Sequence, residues 1–176
     1  MSTLDQALIG NCGYAALISR QAEVTWACLP RFDGDPVFCS LLGSPQAGNG
    51  HGRFAIELDR LARSEQEYVR NTAITVTRLY DADGGAVEVT DFAPRFEQFG
   101  RTFRPMMLIR RINRLAGSPL ISNVVRPVFE YGRTRPVVTQ GSNHVRFVGP
   151  ADVLRLTTDA SVTAIADETS FILEDE

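Results

Sequence analysis

The chain has 176 residues, 44% of them hydrophobic and 22% charged, with a formal net charge of −3. That length supports one domain burying roughly 70% of its unfolded surface. The charge excludes the basic excess of a nucleic-acid binder, and no run reaches the roughly 20 apolar residues that span a bilayer.

Taken in order, residues 1–6 lack a basic segment followed by an apolar core. No secretory signal is read there, and a cytoplasmic location is expected. Cys12, Cys28 and Cys39 form an odd set at unremarkable spacing, which fits reduced thiols. The apolar runs 15–18 and 24–29 have strand length and flank a polar connection, so an antiparallel pair is predicted. The second run holds Trp26, the only tryptophan. Residues 30–36 (PRFDGDP) are a loop with one aromatic, one arginine and three turn-forming residue types. A short helix over 37–42 is expected next, with Asp35 as N-cap, Pro36 at the first position and Gly43 as left-handed terminator.

Residues 44–53 read as a loop. Its glycines are no phosphate cradle, because 54–58 alternates as a strand where a long helix is required. Residues 59–67 form a charged connection with room for one helical turn. Strands over 73–80 and 86–92, joined by an Asp-Gly turn, make a hairpin. Residues 94–105 are an irregular loop bearing arginine and phenylalanine. Strands follow over 106–115 and 120–131, and Pro127 marks the latter as an edge or a bulge. Short strands then recur over 137–140, 144–148, 153–157, 161–166 and 170–174, separated by turns.

About eleven or twelve strands at this spacing, with one short helix near the N-terminus, predict an all-β antiparallel sandwich. Residues 1–176 are read as a single β-sandwich domain. The chain stops just after an apolar run, and a fragment cut between elements is expected.

The segments Leu8-Ile9-Gly10-Asn11, Ala16-Leu17-Ile18-Ser19-Arg20 and Trp26-Ala27-Cys28-Leu29-Pro30-Arg31-Phe32-Asp33 resemble the opening of bacterial glycoside hydrolase family 15 proteins, glucoamylase-like and trehalase-like. Val89-Thr90-Asp91-Phe92-Ala93-Pro94, Leu108-Ile109-Arg110-Arg111 and Pro127-Val128-Phe129-Glu130-Tyr131-Gly132-Arg133 follow in the family's order. The resemblance implies a many-stranded sandwich of the supersandwich type, preceding an (α/α)6 barrel that this chain lacks. Family members hydrolyse α-glucosides with inversion through two glutamates roughly 6.5–9.5 Å apart. Both belong to the barrel, so no catalytic residue is expected here, nor a cofactor. His51 and His144 are 93 residues apart with no Cys or carboxylate at ligand spacing, so no metal site is expected either. The implied partners are that C-terminal barrel and α-glucoside sugars. Asn11 departs from the family's frequent aspartate, and Gln21-Ala22-Glu23 from its Gly-Ser turn.

Arg31, Phe32 and Asp33 are the leading site candidates, because a ring beside a guanidinium and a carboxylate suits the faces and hydroxyls of sugars. Packing against the barrel and a purely local Arg31–Asp33 pair are the competing roles; Pro30 shapes the loop. Trp26 is a sugar platform or a core residue. Glu130, Tyr131 and Arg133 form a second polar cluster, at the domain junction or in a solvated turn. Asp91 reads as a turn cap. A free-standing carbohydrate-binding module and a structural or oligomerising domain remain the alternatives to a supporting domain.

Overall fold

The computed structural model describes residues 5–43 and 51–174. The chain opens with β1 (Gln6–Gly10), β2 (Ala15–Ser19) and β3 (Glu23–Cys28). The short β4 (Pro36–Phe38) leads to a 3-10 turn at Ser40–Leu42, and β5 (Arg53–Leu58) follows. Next come β6 (Leu61–Tyr68), β7 (Thr75–Asp81), β8 (Ala86–Phe92), β9 (Phe96–Gln98), β10 (Arg101–Phe103), β11 (Ile109–Ala116) and β12 (Leu120–Arg126). A 3-10 turn at Glu130–Gly132 precedes β13 (Val137–Gln140), β14 (His144–Val148) and β15 (Val153–Thr157). Helix α1 (Val162–Ala166) and β16 (Phe171–Ile172) close the described chain.

All pairings are antiparallel. The largest sheet runs β1-β2-β3-β5-β12-β16, with β4 also on β3. β3 divides its edge: Glu23 and Val24 pair with β5, whereas Ala27 and Cys28 pair with β4. A four-stranded sheet runs β11-β8-β7-β6, a three-stranded one β13-β14-β15, and β9 with β10 forms a separate arm.

Alternation places Phe54, Ile56 and Leu58 on one face of β5, opposite Val125, Asn123 and Ile121 of β12. That face carries two cores. Phe54 and Val125 pack with Ile9, Ile18 and Val24, with Val145 and Phe147 of β14, and with Ile165 of α1. Ile56, Leu58 and Ile121 pack with Leu79, Val87 and Val89 of the four-stranded sheet. Both smaller sheets therefore share apolar residues with the largest one, giving an all-β sandwich.

Several predicted elements differ from those observed. The expected helix over 37–42 is instead β4 plus a single 3-10 turn, because Pro36–Phe38 adds to the free half of the β3 edge and all three residues are buried. Gly43 has φ −88°, so it is not the left-handed terminator. The connection over 59–67 is strand β6, exposed along most of both faces and lacking the alternation that would reveal it. Strand 161–166 is instead α1: the Ser161 hydroxyl accepts from the Ala164 amide and Ile165 anchors the turn in the core. Pro127 lies just past β12, where the strand stops. The Gly48-Asn49-Gly50 stretch lies outside the described residues.

Candidate functional site

The loop after β3 is shaped by its sequence. The Leu29–Pro30 peptide is cis, and the Gly34 amide donates to the Arg31 carbonyl at 3.0 Å, closing a turn. Arg31 grips Asp33 through two parallel hydrogen bonds, Nε to Oδ1 at 2.8 Å and Nη2 to Oδ2 at 2.9 Å. The guanidinium holds the Asp33 carboxyl below the usual carboxylate range, and Asp33 in turn raises Arg31. The pair is exposed, and between its members Phe32 stands 68% exposed. Pro30 is exposed as well.

Trp26 is half-buried on the sheet face opposite the core, in a cross-strand row with Leu17 and Leu8. Burial pushes the thiol of Cys28, two residues on, up from its ordinary value. Trp26 thus lies outside the two buried cores.

The second cluster lies beside the first. The Val128 amide donates to the Val37 carbonyl at 3.0 Å, joining the segment after β12 to β4. Gly52 makes this approach possible, because a Cβ there would collide with that same carbonyl. The following turn holds Glu130 and Tyr131 at φ 52° and 56°, a left-handed conformation that costs each residue about 1–2 kcal/mol. Thr134 donates its hydroxyl to the Glu130 carboxylate, and Tyr131 is left 62% exposed. Arg133 is exposed next to it. Both predicted clusters therefore flank β4, with Phe32 and Tyr131 outward.

Sequence reasoning missed a third component at this end. Ala16 opposes Ala27, so the β1–β2 turn sits beside the end of β3. From that turn Asn11, 1% exposed, donates its side-chain amide to the Pro94 carbonyl (3.1 Å) and the Pro105 carbonyl (2.9 Å). Those carbonyls are the two feet of the β9–β10 arm. Tyr14 donates its hydroxyl to the Met107 carbonyl. Nearby, Asp91 does not cap a turn. It lies inside β8, fully buried, accepting from Arg110 Nε at 2.7 Å and Nη2 at 3.0 Å. Arg110 also donates to the Phe54 carbonyl (3.4 Å) and lies over the Phe54 ring at 4.5 Å. Two segments that resembled the family thus meet across the β8–β11 register, which alone could not be read from the sequence.

Elsewhere several carboxylates are paired. Arg53 bridges Glu23 and Glu57, Ser40 also donates to Glu23, Arg78 joins Glu67 to Glu88, and Arg126 holds Glu168. The first group borders an open polar trough of about 390 Å³ on the outer face of the largest sheet, lined also by Gln21, Arg60 and Ser122. Among the described residues no three His, Cys, Asp or Glu side chains are grouped to hold a metal ion. Nor is any described helix long and apolar enough to cross a membrane.

A family model described as "Trehalase-like, N-terminal" matches residues 4–170. The chain is 29% identical over 133 residues to a trehalase of Thermoplasma volcanium, covering 74% of this chain and 20% of that protein. It is 26% identical over 143 residues to Trehalase 1 of Sulfolobus acidocaldarius, covering 81% of this chain and 22% of that one. The chain thus spans about a fifth of the length of the curated relatives it matches. No solved structure matches it.

Proposed function

The chain belongs to the trehalase-like N-terminal family, and from that premise we propose that it is the non-catalytic companion domain of a glycosidase acting on trehalose. The parent enzyme is of the glycoside hydrolase family 15 type, inverting, with both catalytic glutamates on an (α/α)6 barrel that follows in the same parent chain. The domain's loop-bearing end faces that barrel. There it buries a shared interface and sets the Arg31–Asp33 loop beside the mouth of the active site.

The observation that carries this reading is the convergence of Phe32, Tyr131 and the Arg31–Asp33 fork on the two flanks of β4. Monomers seldom leave grouped large apolar side chains uncovered, and a loop held outward by left-handed backbone needs a recipient.

The same two rings support a second reading, a carbohydrate-binding module stacking sugar on Phe32 and Tyr131. Calorimetric titration of the chain with trehalose and maltotriose separates them. The companion-domain reading predicts no binding in the micromolar range. Clear micromolar heats that Phe32→Ser and Tyr131→Ser abolish would transfer the assignment to the module.

A further inference from the structure

The β9–β10 arm is the part of the molecule least explained by its own fold. None of its six strand residues is buried, and among the described residues its strands pair only with each other. A two-stranded hairpin is marginal in water on its own. Its rings nevertheless face outward: Phe96 and Phe103 stack with centroids 5.5 Å apart, and Phe99 is 90% exposed at the tip. Phe99 and Gly100 both take positive φ, 52° and 68°. Such a two-residue tip favours Asn-Gly, and a bulky residue there is an outlier. Neither backbone preference nor burial in this chain accounts for a phenylalanine at that position. The base, by contrast, is fixed, because Asn11 ties both feet together. The arm is thus anchored at its root and bare along its length.

We propose that this arm is an interdomain hook, seating Phe99 and the Phe96–Phe103 pair in an apolar, acid-rimmed recess on the catalytic part of the parent chain. The inference rests on the companion-domain reading and adds a specific contact to it. Two observations select the occupant. The matched segment is only about a fifth of each relative, so most of the surface available to an arm is the parent's own remainder. A tethered partner competes at millimolar effective concentration. Charge argues against a second copy: Arg95, Arg101 and Arg104 are exposed around the arm with Glu97 as the only acid, and a two-fold contact would set these arginines against their equivalents.

Hydrogen exchange followed by mass spectrometry, comparing the 176-residue chain with the full-length parent, tests this. The hook predicts arm amides exchanging about tenfold or more slowly in the parent than in the isolated chain. Phe99→Ser in the parent removes that protection and Phe99→Leu keeps most of it. Phe99→Ser leaves the isolated chain's melting midpoint unmoved, because the ring contributes nothing to its core. Equal arm exchange in both proteins overturns the hook. If residues 30–35 gain protection in the parent while the arm does not, only the hook falls; if neither region gains any, the companion-domain reading falls with it. Concentration-dependent arm protection in the isolated chain, lost in Phe99→Ser, would make a second copy the occupant and overturn the proposal.

Discussion

Replacing Asp91 by alanine is the most informative single change to the fold. Its carboxylate is fully inaccessible and the Arg110 side chain is 4% exposed. Two hydrogen bonds of 2.7 and 3.0 Å join them, and the Phe54 carbonyl and ring take up the rest of the guanidinium. Deleting the acid leaves a charged fork buried between the two largest sheets with one weak acceptor. Breaking a buried pair in this way costs about 3–5 kcal/mol, against about 0–1 for an exposed one. With total stability of about 5–15 kcal/mol, that is about a fifth of the whole or more. At about 2–4 °C per kcal/mol for a chain this size, the melting midpoint should fall by about 6–20 °C. Thermal unfolding followed through Trp26 fluorescence measures it, since that indole is half-buried on β3. The double variant Asp91→Leu/Arg110→Met should lose less than Asp91→Ala alone, because no charge is then stranded. A single-variant loss under about 1 kcal/mol, or a double variant worse than both singles together, would refute the description of this pair as a buried, mutually dependent unit.

Three further outcomes follow from particular contacts. Asn11→Asp removes the N–H donors that two carbonyls accept and sets a carboxylate against both, so it should cost at least about 1–3 kcal/mol and speed proteolysis at the arm's feet. Burial raises the Tyr14 phenol above its ordinary value of 10.0. The folded chain therefore keeps a proton that the unfolded chain gives up. This contribution is whole below about pH 10 and drains as pH climbs toward the folded value, by up to about 1.4 kcal/mol per pH unit. Tyr14→Phe should show a shallower alkaline loss in denaturation at stepped pH. Arg146 and Arg155 are both exposed and directly opposed on β14 and β15. Arg155→Glu converts that repulsion to attraction and should raise stability by about 0.2–1 kcal/mol at low salt, with the gain fading in high salt.

What the sequence disclosed and what it hid have physical causes. The hairpin of β7 and β8 is visible because β-branched alternation and an Asp-Gly turn agree. The Arg31–Asp33 loop is visible for a related reason, since Pro30, Gly34 and Asp35 mark a turn there. β6 is hidden because a strand exposed on both faces has no two-fold pattern, and cross-strand pairs such as Arg78 with Glu67 stand in for it. Residues 161–166 mislead because Val162, Thr163 and Ile165 are β-branched; a capping hydroxyl and one core contact outweigh propensity. The arm is hidden because Phe-Gly is not a hairpin signature. The convergence of three loops at one end depends on strand register, which local sequence does not encode. Asn11 was legible only as a departure from the family's aspartate; its meaning lies in two carbonyls more than eighty residues away.

The most direct test of the companion-domain account is to mix this chain with the separately produced remainder of its parent and follow association and trehalose hydrolysis together. A one-to-one complex, weakened by Phe32→Ser and Phe99→Ser, with hydrolysis by the remainder rising as the chain is added, is the predicted result. A remainder that ignores the chain and hydrolyses trehalose equally well without it would contradict the account.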